Sequence, residues 1–287
     1  MYHDISCGSS FPSPIKEYFQ RFIGREKMSV LCEAAEEGSI SRCRQLLAAG
    51  SDVEERDEDG FTPLLNAAYF GHTEVCELLL EKGKANIEET DSLGNTALNQ
   101  AADEGDASTV ALLLSKGARV DTRDKNGFTP LLAAAQKGHT EVCELLLDNG
   151  SDLEESSPVT QETALHKAAG FGHESLLQLL ISQKYKPNLN IRTRLESTPL
   201  HLASQEGHLA CVKKLLQAGA DPLLPQVDGT LAIHKAADHN HDEVVWILLE
   251  QGGCSPDQVR HTALQSIDHI YSSFIVKIVI VIIREQT

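Results

Sequence analysis

Histidine is the residue type whose number and spacing in this sequence could most readily support metal binding or catalysis. Twelve histidines are present, and imidazole acts both as a metal ligand and as a general acid or base near neutral pH. Seven of them recur at two fixed positions of an internal repeat, which predicts structural hydrogen bonds to neighbouring turns. His239 and His241 lie beside two carboxylates, but their spacing matches no zinc site. The recurring histidines are His72, His139, His173 and His208 after a turn glycine, and His166, His201 and His234 near a helix start.

The cysteines and the common catalytic motifs do not indicate enzyme chemistry either. Cys76 and Cys143 occupy the same position in two repeats within apolar helical runs, which is typical of small core residues. The sequence has no C-x-x-C pair and no G-x-x-x-x-G-K-[ST], G-x-G-x-x-G or G-x-S-x-G motif. We therefore expect no enzyme activity, no cofactor and no bound metal. The seven cysteines are Cys7, Cys32, Cys43, Cys76, Cys143, Cys211 and Cys254.

The charge balance restricts the kinds of partner. The formal net charge is -17, whereas nucleic-acid binders carry a basic stripe that displaces counterions from phosphates. The apolar run at residues 274–283 is shorter than the roughly 20 residues that a membrane span needs. We expect a protein partner with a basic segment, no nucleic acid and no membrane span. Unpaired core thiols and an N-terminus unlike a signal peptide favour a cytoplasmic or nuclear location.

An internal repeat dominates the sequence. Residues 61–83 read FTPLLNAAYFGHTEVCELLLEKG, and residues 128–150 read FTPLLAAAQKGHTEVCELLLDNG. Pairs of small residues begin at positions 34, 67, 101, 134, 168, 203 and 236, in steps of 33, 34, 33, 34, 35 and 33 residues. A fixed period of this size predicts a stacked array, in which each unit buries its apolar face only against its neighbours.

Each unit divides into a turn and two helices. In the second unit, Thr62 is the predicted N-cap and Pro63 occupies the first helical position, where proline loses no hydrogen bond. The small-residue pair lets neighbouring helices approach closely, and Gly71 breaks the first helix. The second helix carries a leucine ridge and is expected to end at Gly83.

These residues resemble the ankyrin repeat, G-x-T-P-L-H-x-A-A-x-x-G-H-x-E-V-V-x-x-L-L-x-x-G-A, most fully at residues 198–216. The resemblance covers residues 28–266. It implies an all-α repeat fold, an ankyrin solenoid of about seven helix-turn-helix units with hairpin fingers, followed by a partial eighth unit. Two departures are notable. Gln161 replaces a turn glycine, so the fifth finger is expected to be longer or bent, and Asn240 replaces a helix-ending glycine.

Two non-repeat segments flank the predicted array. Residues 1–27 form a leader whose short amphipathic helix either packs on the first repeat or binds a partner. Residues 267–287 form an apolar tail, which either folds onto the last repeat or is an alternative chain end that has lost the native cap. The apolar face of the leader helix is made by Ile15, Tyr18, Phe19, Phe22 and Ile23.

Specificity in a repeat array comes from positions that packing leaves free. The resemblance places these at the finger tips and at the two residues after the small-residue pair, along the concave face. The predicted binding residues are Glu58, Asp59, Phe61, Tyr69, Phe70, Asn95, Asp103, Glu104, Phe128, Gln136 and Lys137. The larger face adds Glu36, Glu37, Ser92, Lys125, Asn126, Phe171, Arg194, Gln205, Glu206, Asp238 and His239.

Aromatic residues concentrate in the second unit of this face. Phe61, Tyr69 and Phe70 lie among carboxylates, and exposed aromatic side chains are favoured as binding anchors. We predict that units one to three form the main patch, for a basic segment with an apolar anchor. The alternative is that Tyr69 and Phe70 merely pack between adjacent helices.

Three functions fit the sequence. The leading interpretation is a non-enzymatic scaffold or adaptor that binds a partner through the concave face and finger tips. The second is a substrate-recognition subunit of a ubiquitin ligase, although residues 267–287 do not resemble the Leu, Cys and Pro box that such a subunit needs. The third is a truncated isoform of a larger ankyrin-containing protein.

Overall fold

The computed structural model describes residues 29–253, and these residues form seven consecutive pairs of α-helices. The predicted all-α repeat fold is therefore confirmed. The first helices of the pairs are α1 (Val30–Glu36), α3 (Pro63–Tyr69), α5 (Ala97–Glu104), α7 (Pro130–Lys137), α9 (Ala164–Gly170), α11 (Pro199–Gln205) and α13 (Ala232–Asp238). The second helices are α2 (Ile40–Ala48), α4 (Thr73–Leu78), α6 (Ala107–Ser115), α8 (Thr140–Asp148), α10 (Glu174–Leu180), α12 (Leu209–Ala218) and α14 (Asp242–Glu250).

The first helices begin as the sequence predicts. The Oγ1 atom of Thr62 accepts a hydrogen bond from the backbone N–H of Leu65 at 3.3 Å, and Pro63 is the first residue of α3. Thr129 caps α7 in the same way through the N–H of Leu132, also at 3.3 Å. The threonine satisfies a donor that the first turn of a helix leaves without an intrahelical partner.

Stacking joins the pairs into a continuous core. Each first helix packs against the first helix of the next unit, from α1 on α3 to α11 on α13, and the second helices stack likewise. Ala67 and Ala68 are fully buried at such a contact, where larger side chains would hold the helices apart. Because the buried apolar residues of all seven units form one cluster, each interior unit is stabilised by both of its neighbours.

A turn, here called a finger, precedes the first helix of units two to seven. Its last residue is left-handed, as at Gly60 with φ +82°, and Gln161 adopts φ +58° at this position in the fifth finger. That finger is also one residue longer. The N–H of Ser157 bonds the carbonyl of Glu162, five residues on, whereas the N–H of Asp57 bonds the carbonyl of Phe61, four residues on. The longer fifth finger is thus confirmed.

The second helix of unit two ends in a π-turn. After α4 the chain forms a π-turn at Leu79–Gly83, and the left-handed residue that ends it is Lys84, with φ +61°. The prediction that the helical segment ends at Gly83 is therefore confirmed, but the left-handed residue is Lys84 and not the glycine, because the π-turn absorbs one extra residue before the chain turns back.

Some sequence predictions lie outside the described residues. These are the leader at 1–27, the partial eighth unit, the tail at 267–287, and Cys7 and Cys254. Within residues 29–253, no helix is long and apolar enough to cross a membrane.

Candidate partner-binding surface

An aspartate organises the turn in three of the fingers. In the second, Asp57 Oδ1 accepts hydrogen bonds from the backbone N–H groups of Asp59 at 3.0 Å and Phe61 at 2.9 Å. Asp91 and Asp124 make the same pair of bonds in the third and fourth fingers. An aspartate that bonds backbone two residues on is typical of a tight turn. These hydrogen bonds therefore hold the tip residue in place, on the side of the turn that faces away from the helices.

Backbone hydrogen bonds link several finger tips to one another. The N–H of Lys125 donates to the carbonyl of Leu93 at 2.8 Å, which joins fingers three and four. The N–H of Arg194 donates to Thr160 O at 3.0 Å, and the N–H of Val227 donates to Leu195 O at 3.3 Å. Fingers five, six and seven are thus a connected row.

Arginines at equivalent positions add a second link between fingers. Arg56 Nη1 donates to the carbonyl of its own finger at Gly60, at 2.7 Å, and to that of Thr90 in the next finger, at 2.6 Å. Arg123 and Arg192 likewise reach the carbonyls of the following fingers, at 3.4 Å and 3.3 Å. Guanidinium groups suit this role because they present several donors in a fixed plane.

The turn histidines join consecutive units, as predicted. His72 Nε2 donates to the carbonyl of Glu36 in the preceding unit at 2.9 Å, and His139 Nε2 donates to Asp103 O at 2.9 Å. The same bond recurs in units five to seven, from His173, His208 and His241. These imidazoles are structural donors.

The second set of histidines is buried in the first helices. His166 Nδ1 accepts from the N–H of Thr163 at 3.2 Å, and its Nε2 donates to Ser197 O at 3.0 Å. His201 repeats this arrangement in unit six. Desolvation lowers the pKa of both imidazoles to about 4. They are therefore neutral at physiological pH and already bonded at both ring nitrogens, so the structural interpretation is confirmed for them.

The structure changes the interpretation of the aromatic cluster in unit two. Phe61 is only 8% exposed and belongs to the core, so the prediction that packing leaves it free is wrong. Its ring meets that of Tyr69 edge-on at 6.2 Å, and Tyr69 is half-buried against the core. Phe70 is also half-buried, with its ring 5.0 Å from that of Tyr69. At the tip of the finger of this unit, the carboxylates Glu58 and Asp59 are exposed.

The other predicted binding residues fall in units three and four. Asp103 is half-buried, with its carboxylate 3.8 Å from Lys137 Nζ, and Glu104 beside it is exposed. Asn95 and Gln136 are half-buried. Asn95 Nδ2 donates to the turn aspartate of the third finger at 3.0 Å, so that amide is used in the turn itself.

Phe128 belongs to a second aromatic cluster. Lys167 Nζ lies 5.3 Å from the centre of the Phe128 ring and 5.9 Å from that of Phe171. The same ammonium group is 2.6 Å from Glu162. Cation–π contacts of this kind hold the two rings on either side of one lysine. The predicted aromatic residues therefore form two separate clusters, one in unit two and one across units four and five.

Apolar residues at the finger tips were missed by the sequence analysis. Leu93 is 57% exposed, Val159 is 68% exposed, and Leu195 and Val227 are each 69% exposed. In the second and fourth fingers, Asp59 and Asn126 are equivalent to the first three of these residues, and Glu58 and Lys125 are equivalent to Val227. The sequence signal that could have identified these tips is an apolar residue at a position where the second and fourth units have a polar one.

Three of these tips surround a groove of about 600 Å³ between the fingers of units five to seven and helices α11 and α13. We call it the tip groove. Its apolar lining is Val159, Leu195, Val227 and the half-buried Leu202. Its polar lining is Thr160, Glu162, Thr193, Arg194, Ser197, Gln205, Gln226, Asp228 and Lys235.

Comparison with known proteins identifies the repeat. A family model described as ankyrin repeats (3 copies) matches residues 31–124, 100–193, 150–226 and 185–260. The chain belongs to the ankyrin-repeat family. The crystal structure of the human ASB11 ankyrin repeat domain is similar, with a TM-score of 0.70 and 26% sequence identity, over 76% of this chain and 97% of that one.

Two curated relatives contain a similar ankyrin region. XBAT31 of Arabidopsis thaliana, provisionally named as an E3 ubiquitin-protein ligase, is 34% identical over 109 residues, which are 38% of this chain and 24% of that protein. Oxysterol-binding protein-related protein 1 of Mus musculus is 32% identical over 295 residues, covering 84% of this chain and 29% of that protein. The chain thus spans less than a third of the length of either relative.

The ankyrin units place their cysteines in the core. Cys32, Cys43, Cys76, Cys143 and Cys211 are free and buried. Burial raises the pKa of Cys76 and Cys143 to about 12, and a protonated, buried thiol is a poor nucleophile. Among residues 29–253, no three His, Cys, Asp or Glu side chains are grouped as a metal site would need. Ankyrin repeats bind other proteins, and the exposed surface of the fingers and first helices is what these units offer for binding.

Proposed function

We propose that this chain is a non-enzymatic adaptor that binds a partner protein through the concave face and finger tips of its ankyrin repeats. The observation that carries the proposal is the set of exposed apolar side chains on the fingers, from Leu93 to Val227. Folded proteins rarely hold several large apolar side chains in water along one face unless that face is covered by a partner. The inter-finger hydrogen bonds support this function, because an ordered surface loses little entropy on binding.

Units one to three supply an acidic part of this surface. Glu58, Asp59 and Glu104 are exposed there, Asp103 is half-buried, and the half-buried ring of Phe70 lies close by. A net charge of -17 also attracts basic partners over a distance. We therefore propose that this part binds a basic segment with an apolar anchor.

We also propose that the chain works in the cytoplasm or the nucleus. Its five buried, free cysteines support this location, because thiols persist in reducing compartments, whereas oxidising ones favour disulfides.

Quantitative affinity capture tests the adaptor function. The full chain is compared with the variant Glu58→Lys/Asp59→Lys/Glu104→Lys. Its matched control, Glu77→Lys/Glu141→Lys/Glu250→Lys, makes the same change in charge at exposed positions of the second helices. Mass spectrometry of the captured proteins should show a loss of about tenfold or more for at least one partner with the first variant only.

Two results would contradict the proposal. If both variants lose the same partners equally, the capture reports net charge rather than a binding face. If the first variant retains every partner, the carboxylates of units one to three do not bind one. Thermal unfolding of each variant establishes that the fold is kept.

A second candidate function is substrate recognition for a ubiquitin ligase. The similarity to XBAT31 favours it, although the matched segment is only 24% of that protein. If the candidate is correct, the captured partners should gain ubiquitin when the full chain is expressed, and should not gain it with the variant at Glu58, Asp59 and Glu104.

A further inference from the structure

We infer that the tip groove is a second docking site, which binds an extended acidic segment carrying one or more apolar side chains. The inference rests on the proposed adaptor function, but not on the site in units one to three. The two sites have opposite charge preferences, so each can fail without the other.

The apolar lining of the groove gives the first part of this preference. Val159, Leu195 and Val227 come from three successive fingers, and each is at least 68% exposed. Leu202 of α11 completes the lining. The volume of about 600 Å³ lies within the range of about 300–1000 Å³ that is usual for binding pockets. Apolar side chains of a partner would cover these residues.

The groove is also held in one shape. The backbone bonds from Arg194 to Thr160 and from Val227 to Leu195 fix the spacing of its three fingers. Arg192 adds a third link through the carbonyl of Pro225. Binding therefore requires little reorganisation of the fingers, which lowers its entropic cost.

The polar groups at the base of the groove are bonded to one another. Gln226 Nε2 donates to Ser197 Oγ. The N–H of Ser197 donates to Thr193 Oγ1 at 3.1 Å. These groups do not require a polar ligand, so the charge preference of the groove is set at its rim.

The rim carries an available cation. Arg194 is exposed, and within residues 29–253 its guanidinium makes no ion pair. Glu196, two residues from Arg194, is paired with Arg192 at 2.6 Å. Glu162 of the groove lining is paired with Lys167 at 2.6 Å. Asp228 accepts a backbone hydrogen bond from Thr230 at 2.9 Å, and hydrogen bonds from Thr230, together with the charge of Lys235, keep the pKa of Asp228 below its ordinary value in spite of burial. Glu162 is thus ion-paired and Asp228 is hydrogen-bonded within its own finger, while the planar fork of Arg194 is available to a carboxylate on the partner.

Selection from a displayed library of random 12-residue peptides on the full chain tests the inference. Each selected peptide is measured against wild type, Arg194→Glu, Leu195→Ser/Val227→Ser, and Glu58→Lys/Asp59→Lys/Glu104→Lys. We expect a class of acidic peptides with apolar residues that binds about tenfold or more weakly to the first two variants. The third variant should leave that class unchanged. Arg194→Lys should recover part of the affinity, because it keeps the charge without the planar fork.

The inference is overturned if no selected peptide depends on Leu195 and Val227, or if the peptides that do are basic. Peptides affected only by the third variant report on units one to three and so test the other site separately. A further variant, Ile278→Asp/Ile280→Asp, tests the apolar tail as occupant. If a selection repeated on this variant yields groove-dependent peptides that wild type does not bind, residues 274–283 fill the groove and the proposed partner is wrong. Thermal unfolding confirms that each variant folds.

Discussion

The Nε2 atom of His166 donates a hydrogen bond to the carbonyl oxygen of Ser197, 3.0 Å away, and thereby joins the first helix of unit five to the finger of unit six. His201 makes the corresponding bond to Thr230 at 3.2 Å. Both imidazoles are at most 1% exposed. Each of these contacts between units therefore depends on a buried, neutral imidazole. A second proton would have to bind Nδ1, and that atom could then no longer accept its hydrogen bond.

Stability should fall when the pH is lowered from 7 to 5. Burial lowers the pKa of His166 and His201 to about 4 in the folded chain, below the ordinary value of about 6.5. Between these values the unfolded chain binds protons that the folded chain does not, so the free energy of unfolding decreases as the pH falls through this window. We expect a loss of about 2 kcal/mol per histidine at pH 5, measured by urea unfolding at both pH values.

Unit three offers the control for this measurement. There Asn99 replaces the histidine, and its Oδ1 accepts from the N–H of Thr96 at 3.2 Å without titrating. The variant His166→Asn/His201→Asn should therefore lose distinctly less stability between pH 7 and pH 5 than wild type does. An equal loss would mean that other groups control the pH dependence.

Replacing Gln161 by glycine should stabilise the chain by about 1 kcal/mol. Gln161 has φ +58°, in a region where glycine meets no clash with a Cβ atom. Gly60→Gln is the reverse change, because Gly60 has φ +82° and an added Cβ would lie in ordinary contact, 3.5 Å from Ser92 N. Urea unfolding should show opposite signs for the two variants. A stabilising Gly60→Gln would contradict the argument.

The cysteines of residues 29–253 should not react until the chain unfolds. All five are buried, and burial raises the pKa of Cys32 and Cys211 to about 11 and of Cys76 and Cys143 to about 12. The variant Cys7→Ser/Cys254→Ser isolates these thiols. Ellman's reagent at pH 8 should react slowly with the native variant and rapidly in denaturant, because reaction needs an accessible thiolate. Rapid reaction of the native variant would show that the units open readily.

Removing a turn histidine should destabilise the array. His139→Ala leaves the carbonyl of Asp103 without the bond that it accepts at 2.9 Å, which should cost about 1–2 kcal/mol. His239→Ala is the control, since this exposed histidine bonds only the carbonyl of Lys235 on its own helix. Urea unfolding of the two variants should differ by this amount, and equal stabilities would rule out a role for the bond between units.

The repeated elements could be predicted from the sequence because each depends on local chemistry. Thr62 and Pro63 define a helix start within four residues, and the recurrence of His72 and His139 indicates a bond that every copy can make. Lys84 shows where this fails. The extra residue near it could be accommodated in the finger or in the helix, and the pattern of one unit does not decide between them; the structure has it in the π-turn.

The candidate site was harder to predict because exposure depends on neighbouring units. Phe61 is an aromatic residue beside a finger, yet its ring packs edge-on against Tyr69 of α3 and belongs to the core. Val159, Leu195 and Val227 are separated by more than 30 residues, and their common groove exists only once three fingers are stacked. Sequence patterns within one unit contain no information about that juxtaposition.

The ties between fingers extend only from one unit to the next, as in the bond from Val227 to Leu195. A pull applied to the two ends of such an array is therefore carried in series, with every junction under the same load. Within residues 29–253, rupture should start at the junction whose two units make the weakest contacts. A partner bound across fingers five to seven would bridge two junctions between units. Stretching experiments should then show units five to seven separating last.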